Sequence, residues 1–320
     1  MVRFLVRRLA LLVLGVLGAS MVIFLVLRVL PGDVAQLIGG TKATPEQVAR
    51  VRANLGLDRS LPGQYFDWLG GLLRLDLGRS LLTNQTVSSA LAERFGVTVP
   101  LTVLAFVVTA LVALPLGIYS GLRHDRRTGV VISFVSQAMA AVPVLWTGLL
   151  LIVVFGRGVG LLGVLPSNGF PDAGWAEPLA AFEALLLPAL TIGIIEGVVL
   201  LRFVRSAVLE ALAQDYVRAA AARGLTRTGA LLRHGLPNVG LSLLSVSALQ
   251  IAALVTGAVV VESLFNLPGI GRMLVGDVGS RDLTKVQGEV LFLTTVVLVI
   301  GTLVDVAHRL ADPRQKVEAS

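Results

Sequence analysis

The sequence predicts an all-α polytopic membrane protein: six transmembrane helices in a single membrane domain over residues 1–320. Two observations carry that prediction. Of the 320 residues, 55% are hydrophobic and only 15% charged, giving a mean hydropathy of +0.84, well above the apolar share of a soluble globular domain. Apolar stretches at about 9–30, 98–121, 130–155, 180–203, 239–261 and 288–308 are each long enough to cross ~30 Å of hydrocarbon as a helix, which satisfies every backbone polar group within the segment.

The first span follows Arg3, Arg7 and Arg8. Its length excludes a secretory signal, whose hydrophobic region is about 7–15 residues with a small-residue cleavage site behind it. This run instead continues to Arg28 and ends in Leu30, Pro31, Gly32 and Asp33. Segment 31–97 is then external and carries helices of its own. Thr44, Pro45, Glu46 and Gln47 read as a helix start, with a threonine cap, a proline at the first helical position and Gln47 closing a capping box. Val48, Val51 and Leu55 share one face of that helix, and Tyr65, Trp68, Leu69, Leu72 and Leu73 recur at the spacing of a second, interfacial helix. These helices either pack on the outer face of the membrane domain or offer a receptor a docking surface.

Pro115, Pro143 and Pro188 fall in or near spans, where neighbouring helices satisfy the backbone groups a proline frees, so kinks are expected there. Residues 203–238 form a cytoplasmic connection far longer than a turn between antiparallel spans requires. Glu262, Phe265, Asn266, Pro268, Gly269 and Gly271 outline an external hairpin after the fifth span, a candidate external gate or receptor contact if it is more than a tight turn.

Net charge is +7 with a pI near 10.7. In a soluble protein that balance would point to nucleic acid, but here topology accounts for it. In the termini and the short connections on the same side lie fifteen arginines and lysines, against four in the opposite short loops: Arg157, Arg272, Arg281 and Lys285. Both termini are therefore expected to be cytoplasmic, in the cytoplasmic (inner) membrane. Cysteine is absent, which excludes disulfides, thiolate metal sites and a cysteine nucleophile.

The connection 203–238 is the most informative stretch. Asp215, Tyr216, Val217 and Arg218 lead into four alanines, 219–222, which favour helix, and Arg223 with Gly224 supplies the cation and the permissive residue of a helix C-terminus. A second short helix is expected from about Thr226, stopped by Pro237. Four alanines expose little side-chain bulk, so another protein surface can approach that backbone closely. The segment reads as a docking element.

At this point the sequence resembles the permeases of binding-protein-dependent ATP-binding-cassette importers. Their loop signature is matched by Ala219, Ala220, Gly224, Leu236 and Pro237, with Arg218 where the general pattern has glutamate. That departure is itself similar to the dipeptide/oligopeptide/nickel branch, matched from Asp215 to Leu225. The resemblance extends through Leu30-Pro31-Gly32-Asp33, Leu55-Gly56-Leu57-Asp58, Gln64-Tyr65, Asp76-Leu77-Gly78-Arg79-Ser80, Arg202, Arg205-Ser206, Glu262, Phe265, Pro268-Gly269, Gly271, Arg281-Asp282 and Asp312-Pro313-Arg314. It implies a type I importer permease fold and a division of labour. A related second permease completes the path, two ATPase subunits grip the cytoplasmic loop, and an extracytoplasmic solute-binding protein delivers cargo. Asp215, Tyr216, Arg218, Ala219, Ala220, Arg223, Gly224, Leu225, Leu236 and Pro237 are then the ATPase-coupling residues. Peptides are the implied cargo, with nickel chelates or glutathione as alternatives.

No phosphate loop occurs, and none of Lys42, Lys285 and Lys316 follows a glycine, so no cofactor is expected on this chain and ATP with magnesium belongs to the partners. The protein is not expected to be an enzyme: zinc-peptidase and serine-hydrolase motifs are missing, and His124, His234 and His308 lack metal-ligand spacing. Among ionisable groups, Glu196 lies mid-span, where it either meets a cationic amine of the solute or hydrogen-bonds a neighbouring helix, Gln250 being the candidate partner. Arg202 and Arg205 either snorkel to the cytoplasmic interface or frame an inner gate. An ion-coupled carrier would also suit six spans with a buried glutamate, but would not need the long alanine-rich loop.

Overall fold

The computed structural model describes residues 2–29, 44–54 and 58–311. The motifs at Leu30 to Asp33, Leu55 to Leu57 and Asp312 to Arg314 lie outside them, as do Lys42 and Lys316. Twelve α-helices are described: α1 (Val2–Val29), α2 (Pro45–Asn54), α3 (Leu61–Leu72), α4 (Val87–Leu122), α5 (Arg127–Ala140), α6 (Val144–Phe155), α7 (Pro178–Ala213), α8 (Asp215–Ala222), α9 (Arg227–Ala230), α10 (Leu236–Leu264), α11 (Ile270–Gly279) and α12 (Leu283–Ala311). Strands are absent from the described residues, where two isolated β-bridges occur. The chain divides into two compact units, Met1–Val97 with Gly269–Leu298, and Thr98–Pro268 with Val299–Ser320.

In the first unit the expected capping box forms: Thr44 N–H donates to Gln47 Oε1 at 2.9 Å and Gln47 N–H to Thr44 Oγ1 at 3.3 Å. Helix α3 starts on Ser60, whose hydroxyl accepts from Gly63 N–H, with Pro62 in the first turn. Its aromatic face packs on α1. Phe24, 3% exposed, meets Tyr65 edge-on at 5.4 Å and stacks with Trp68 at 6.4 Å, while the Tyr65 hydroxyl lies 3.0 Å from Ser20 Oγ. Leu73, beyond the helix end, is exposed instead.

A polar network holds the rest of this unit. Ser80 donates to Asp282, both fully buried, and thereby ties the segment after α3 to the start of α12. Lys285 is also buried: its ammonium lies 2.7 Å from Asp277 Oδ2 and 3.9 Å from Glu289 Oε1, and Glu289 is wholly inaccessible with no hydrogen-bond donor on either carboxylate oxygen among the described residues. Lys285, counted from the sequence among the loop charges, is instead a buried counter-ion in the first turn of α12.

In the second unit α7 is central, with α10, α5 and α6 packed on it. Its seam with α4 is reciprocal. Cβ atoms placed on Gly193 and Gly197 of α7 would lie 2.5 and 2.8 Å from the Cβ atoms of Val108 and Val112, and on Gly117 and Gly121 of α4 they would lie 2.6 and 2.9 Å from those of Val204 and Val208. Glycines spaced i, i+4 on each helix therefore receive valines spaced i, i+4 from the other, and the two backbones approach closely enough for Thr109 Oγ1 to donate to Gly193 O at 3.3 Å. Inside a bilayer, where lipid is as apolar as leucine, such shape matching supplies the association that the hydrophobic effect supplies in water.

The prolines behave differently from one another. Helices α4 and α7 continue through Pro115 and Pro188. At Pro143 the expected span 130–155 breaks into α5 and α6, bent by 106°. Pro143 has no N–H to offer the preceding turn and biases Val142 out of helical geometry, so the first helix ends at Ala140 and a new one starts on the proline. Boundaries also move outward: α4 begins at Val87 rather than near 98, and α7 runs to Ala213 rather than ending near 203.

Candidate functional site

The segment between α7 and α10 is built on its own small core. Val217 and Ala220 of α8 and Ala230 of α9 are 3%, 1% and 0% exposed and pack together with Leu212 at the end of α7. Leu231, fully buried, inserts into a second cluster with Leu201, Val204, Val208 and Ala211 of α7, Ala113 of α4 and Val239 of α10. Ala230 and Leu231 carry no sequence signal beyond their apolar character.

Local chemistry fixes each end of α8. Asp215 stands in its first turn, where a carboxylate complements the helix dipole. The Arg218 guanidinium folds back onto the Ala213 carbonyl, the otherwise unpaired C-terminal end of α7, and lies 3.8 Å from Asp215. Arg218 therefore welds α8 to α7. At the other end Gly224 has φ +100, with its N–H donating to Ala221 O and Leu225 N–H to Ala220 O, the paired bonds of a Schellman stop that favours glycine. Thr226 caps α9 by accepting from Gly229 N–H at 3.0 Å, the start expected there. Arg227 then reaches to 3.8 Å from Asp125 in the turn between α4 and α5, a brace without a sequence signal.

Pro237 does not stop this helix as expected. The chain runs from α9 through a π turn, Leu231–Gly235, directly into α10, with Leu236 half-buried and Pro237 in the first turn of α10. A first-turn proline removes only an N–H that would lack an intrahelical partner, so α10 can start there.

The outcome is a segment with one inward and one outward face. Ala220 points inward, packed with Val217 and Ala230 beneath the outward residues. Asp215, Tyr216, Arg218, Ala219, Ala222, Arg223, Gly224 and Leu225 are exposed. Small outward residues on a short helix bolted to α7 can seat another protein closely and pass its displacement to the span without bending.

Farther up α7, Glu196 is half-buried and Gln250 of α10 is 4% exposed, its Nε2 donating to Glu196 Oε2 at 2.6 Å and reaching the Glu196 carbonyl at 3.3 Å. Toward the C-terminal end of the same helix Arg202, Ser206 and Glu210 are exposed and Arg205 half-buried, a polar stripe in what the sequence marks as a span and its extension. Glu262 sits elsewhere. It lies within α10, wholly inaccessible, and accepts from Thr98 Oγ1 at 2.6 Å, so it ties the end of α10 to α4 instead of forming part of an exposed hairpin.

Comparison with known proteins gives this arrangement a context. Residues 113–317 match the family described as binding-protein-dependent transport system inner membrane component, and residues 1–102 match its N-terminal counterpart. A Brucella abortus protein named as a peptide transport system permease is 36% identical over 99% of this chain and 100% of its own length. A di/tripeptide transport system permease of Pseudomonas aeruginosa is 33% identical and a dipeptide transport system permease of Escherichia coli 32%, each over 98% of both chains. Among solved structures, a chain of the MetNI methionine ABC transporter in an inward-facing conformation superposes with a TM-score of 0.52 at 17% identity, over 70% of this chain and 96% of that one, a likeness of fold. An integral membrane chain of long apolar helices, with a braced segment between α7 and α10 and a family match over most of its length, belongs to the binding-protein-dependent transport system inner membrane components.

Proposed function

We propose that this chain is the channel-forming permease subunit of an ATP-binding-cassette importer that moves di- and oligopeptides across the cytoplasmic membrane. The observation that carries the proposal is the end-to-end match to relatives named for peptide, dipeptide and di/tripeptide transport. The chain has no nucleotide-binding loop, so ATP and magnesium act on two partner ATPase subunits. Their contact is the outward face of α8 and its stop, centred on Ala219, Arg223 and Gly224. Because Leu231 and Arg218 fix this segment to α7, closure of the ATPases tilts α7 and, through the glycine–valine seam, α4 with it. A second permease subunit completes the path, an external binding protein delivers the peptide, and both termini face the cytoplasm.

The test is uptake of labelled dipeptide by the complete importer in proteoliposomes, with its binding protein outside and ATP inside. Accumulation that requires ATP and stops with a hydrolysis-deficient ATPase is expected. Uptake that persists without ATP and follows an ion gradient would overturn the reading in favour of a carrier.

A further inference from the structure

We propose that Glu196 binds the ammonium group of the passing solute, and that Gln250 holds its carboxylate in position to do so. An ionisable side chain in the middle of a span is costly and by default faces a cavity or a partner of opposite charge. Among the described residues no arginine, lysine or histidine pairs with Glu196. Its hydrogen-bond donor is instead the neutral amide of Gln250, which occupies Oε2 and leaves the negative charge uncompensated. Glu262 makes the contrast: also a span carboxylate, it is wholly buried and bonded to Thr98, with no surface to present.

Position supports the assignment. Glu196 is half-buried rather than sealed, and Arg202, Ser206 and Glu210 remain exposed on a neighbouring face toward the C-terminal end of α7. A polar stripe of this kind does not face lipid chains; it faces water or a partner. The face of α7 beside Glu196 is closed by the seam, where Gly193 and Gly197 meet Val108 and Val112. Gln250 is itself almost fully buried, so its amide is a fixed positioning group and the remaining oxygen, Oε1, is the acceptor for an N–H of the ligand. The ligand class is a primary ammonium, the group that a peptide with an unblocked amino terminus other than proline carries and that a lysine side chain adds.

The inference rests on the peptide reading above. The experiment measures uptake by the reconstituted importer at saturating binding protein for Ala-Ala and Lys-Ala, comparing wild type with Glu196→Gln and Glu196→Asp, with assembly of each complex checked by size-exclusion chromatography. Glu196→Gln is expected to slow uptake about tenfold, the weight of one charge-assisted hydrogen bond, and Glu196→Asp to restore most of it. Slowing of both peptides identifies the α-ammonium as the bound group; slowing of Lys-Ala alone identifies the side-chain ammonium. Should Glu196→Gln fail to assemble, Gln250→Leu keeps the charge and is expected to slow uptake by a smaller factor. Unchanged uptake in Glu196→Gln, or equal loss in the Gln and Asp variants, would overturn the proposal by showing that the carboxylate has only a structural role. Wild-type complex that moved neither peptide would instead remove the functional reading itself.

Discussion

Each of the two units of this protein is held together internally, and by opposite means. In the first, charge and hydrogen bonding are buried: Ser80 with Asp282, and Lys285 between Asp277 and Glu289. In the second, the main seam contains no charge and rests on glycines admitting valines between α4 and α7. The difference teaches where each can fail. A buried charge cluster is sensitive to loss of one partner, because the remaining charge is stranded in a medium that solvates it poorly. A small-residue seam is sensitive to added volume, because a backbone carbonyl in contact cannot move out of the way.

The largest effect is expected from Lys285→Met, which leaves Asp277 and Glu289 facing each other without a cation; a loss of about 3–5 kcal/mol should appear as a large drop in the thermal midpoint of the detergent-solubilised complex. Neutralising both carboxylates in the same chain, with Asp277→Asn and Glu289→Gln, should recover much of that loss. A triple variant as unstable as the single one would show that packing, and not charge, holds this region.

Next comes the seam. Gly193→Leu places a side chain against Val108 and within 2.8 Å of the Ala105 carbonyl, and overpacking of this kind should cost about 1–3 kcal/mol or more. Adding Val108→Ala should relieve part of the clash but not all, since the carbonyl remains. Full rescue would mean that the helices are free to separate, contradicting their action as one lever.

The smallest effect is expected at the coupling segment's cap. Thr226→Ala removes the bond to Gly229 N–H and should cost about 1 kcal/mol, read as faster amide exchange confined to α9 and the π turn with little change in the global midpoint. Exchange spreading through α7 would show that the segment and the span unfold together.

Local chemistry made part of this legible in the sequence. The capping pair Thr44 and Gln47, the cap at Thr226 and the left-handed stop at Gly224 each depend on neighbours a few residues away, and all appear where the residue types place them. Long apolar runs likewise locate the membrane-length helices α1, α4, α7 and α12. What escaped depends on partners distant in sequence. Nothing around Gly193 announces Val108, and the inward turn of Ala220 follows from Val217, Ala230 and Leu212 packing beneath it, whereas four identical alanines carry no facing information. Glu262 was grouped with an external hairpin because glycine and proline follow it, but its fate was decided by Thr98, 164 positions earlier. The break at Pro143 and the passage through Pro115 and Pro188 show that a proline's effect within a span depends on surrounding helices.

Ala219 tests the account more cleanly than Gly224, because any side chain at Gly224 also strains a φ of +100. The natural absence of cysteine allows single cysteines to be placed without background. The most direct measurement is therefore crosslinking of Ala219→Cys, Ala222→Cys and Ala220→Cys, one at a time, to cysteines on the cognate ATPase within the assembled complex. Capture from positions 219 and 222 but not from 220 is the predicted result. Failure at all three positions, or equal capture from 220, would contradict a segment that presents its outer face to the ATPase while its inner face is packed against α7.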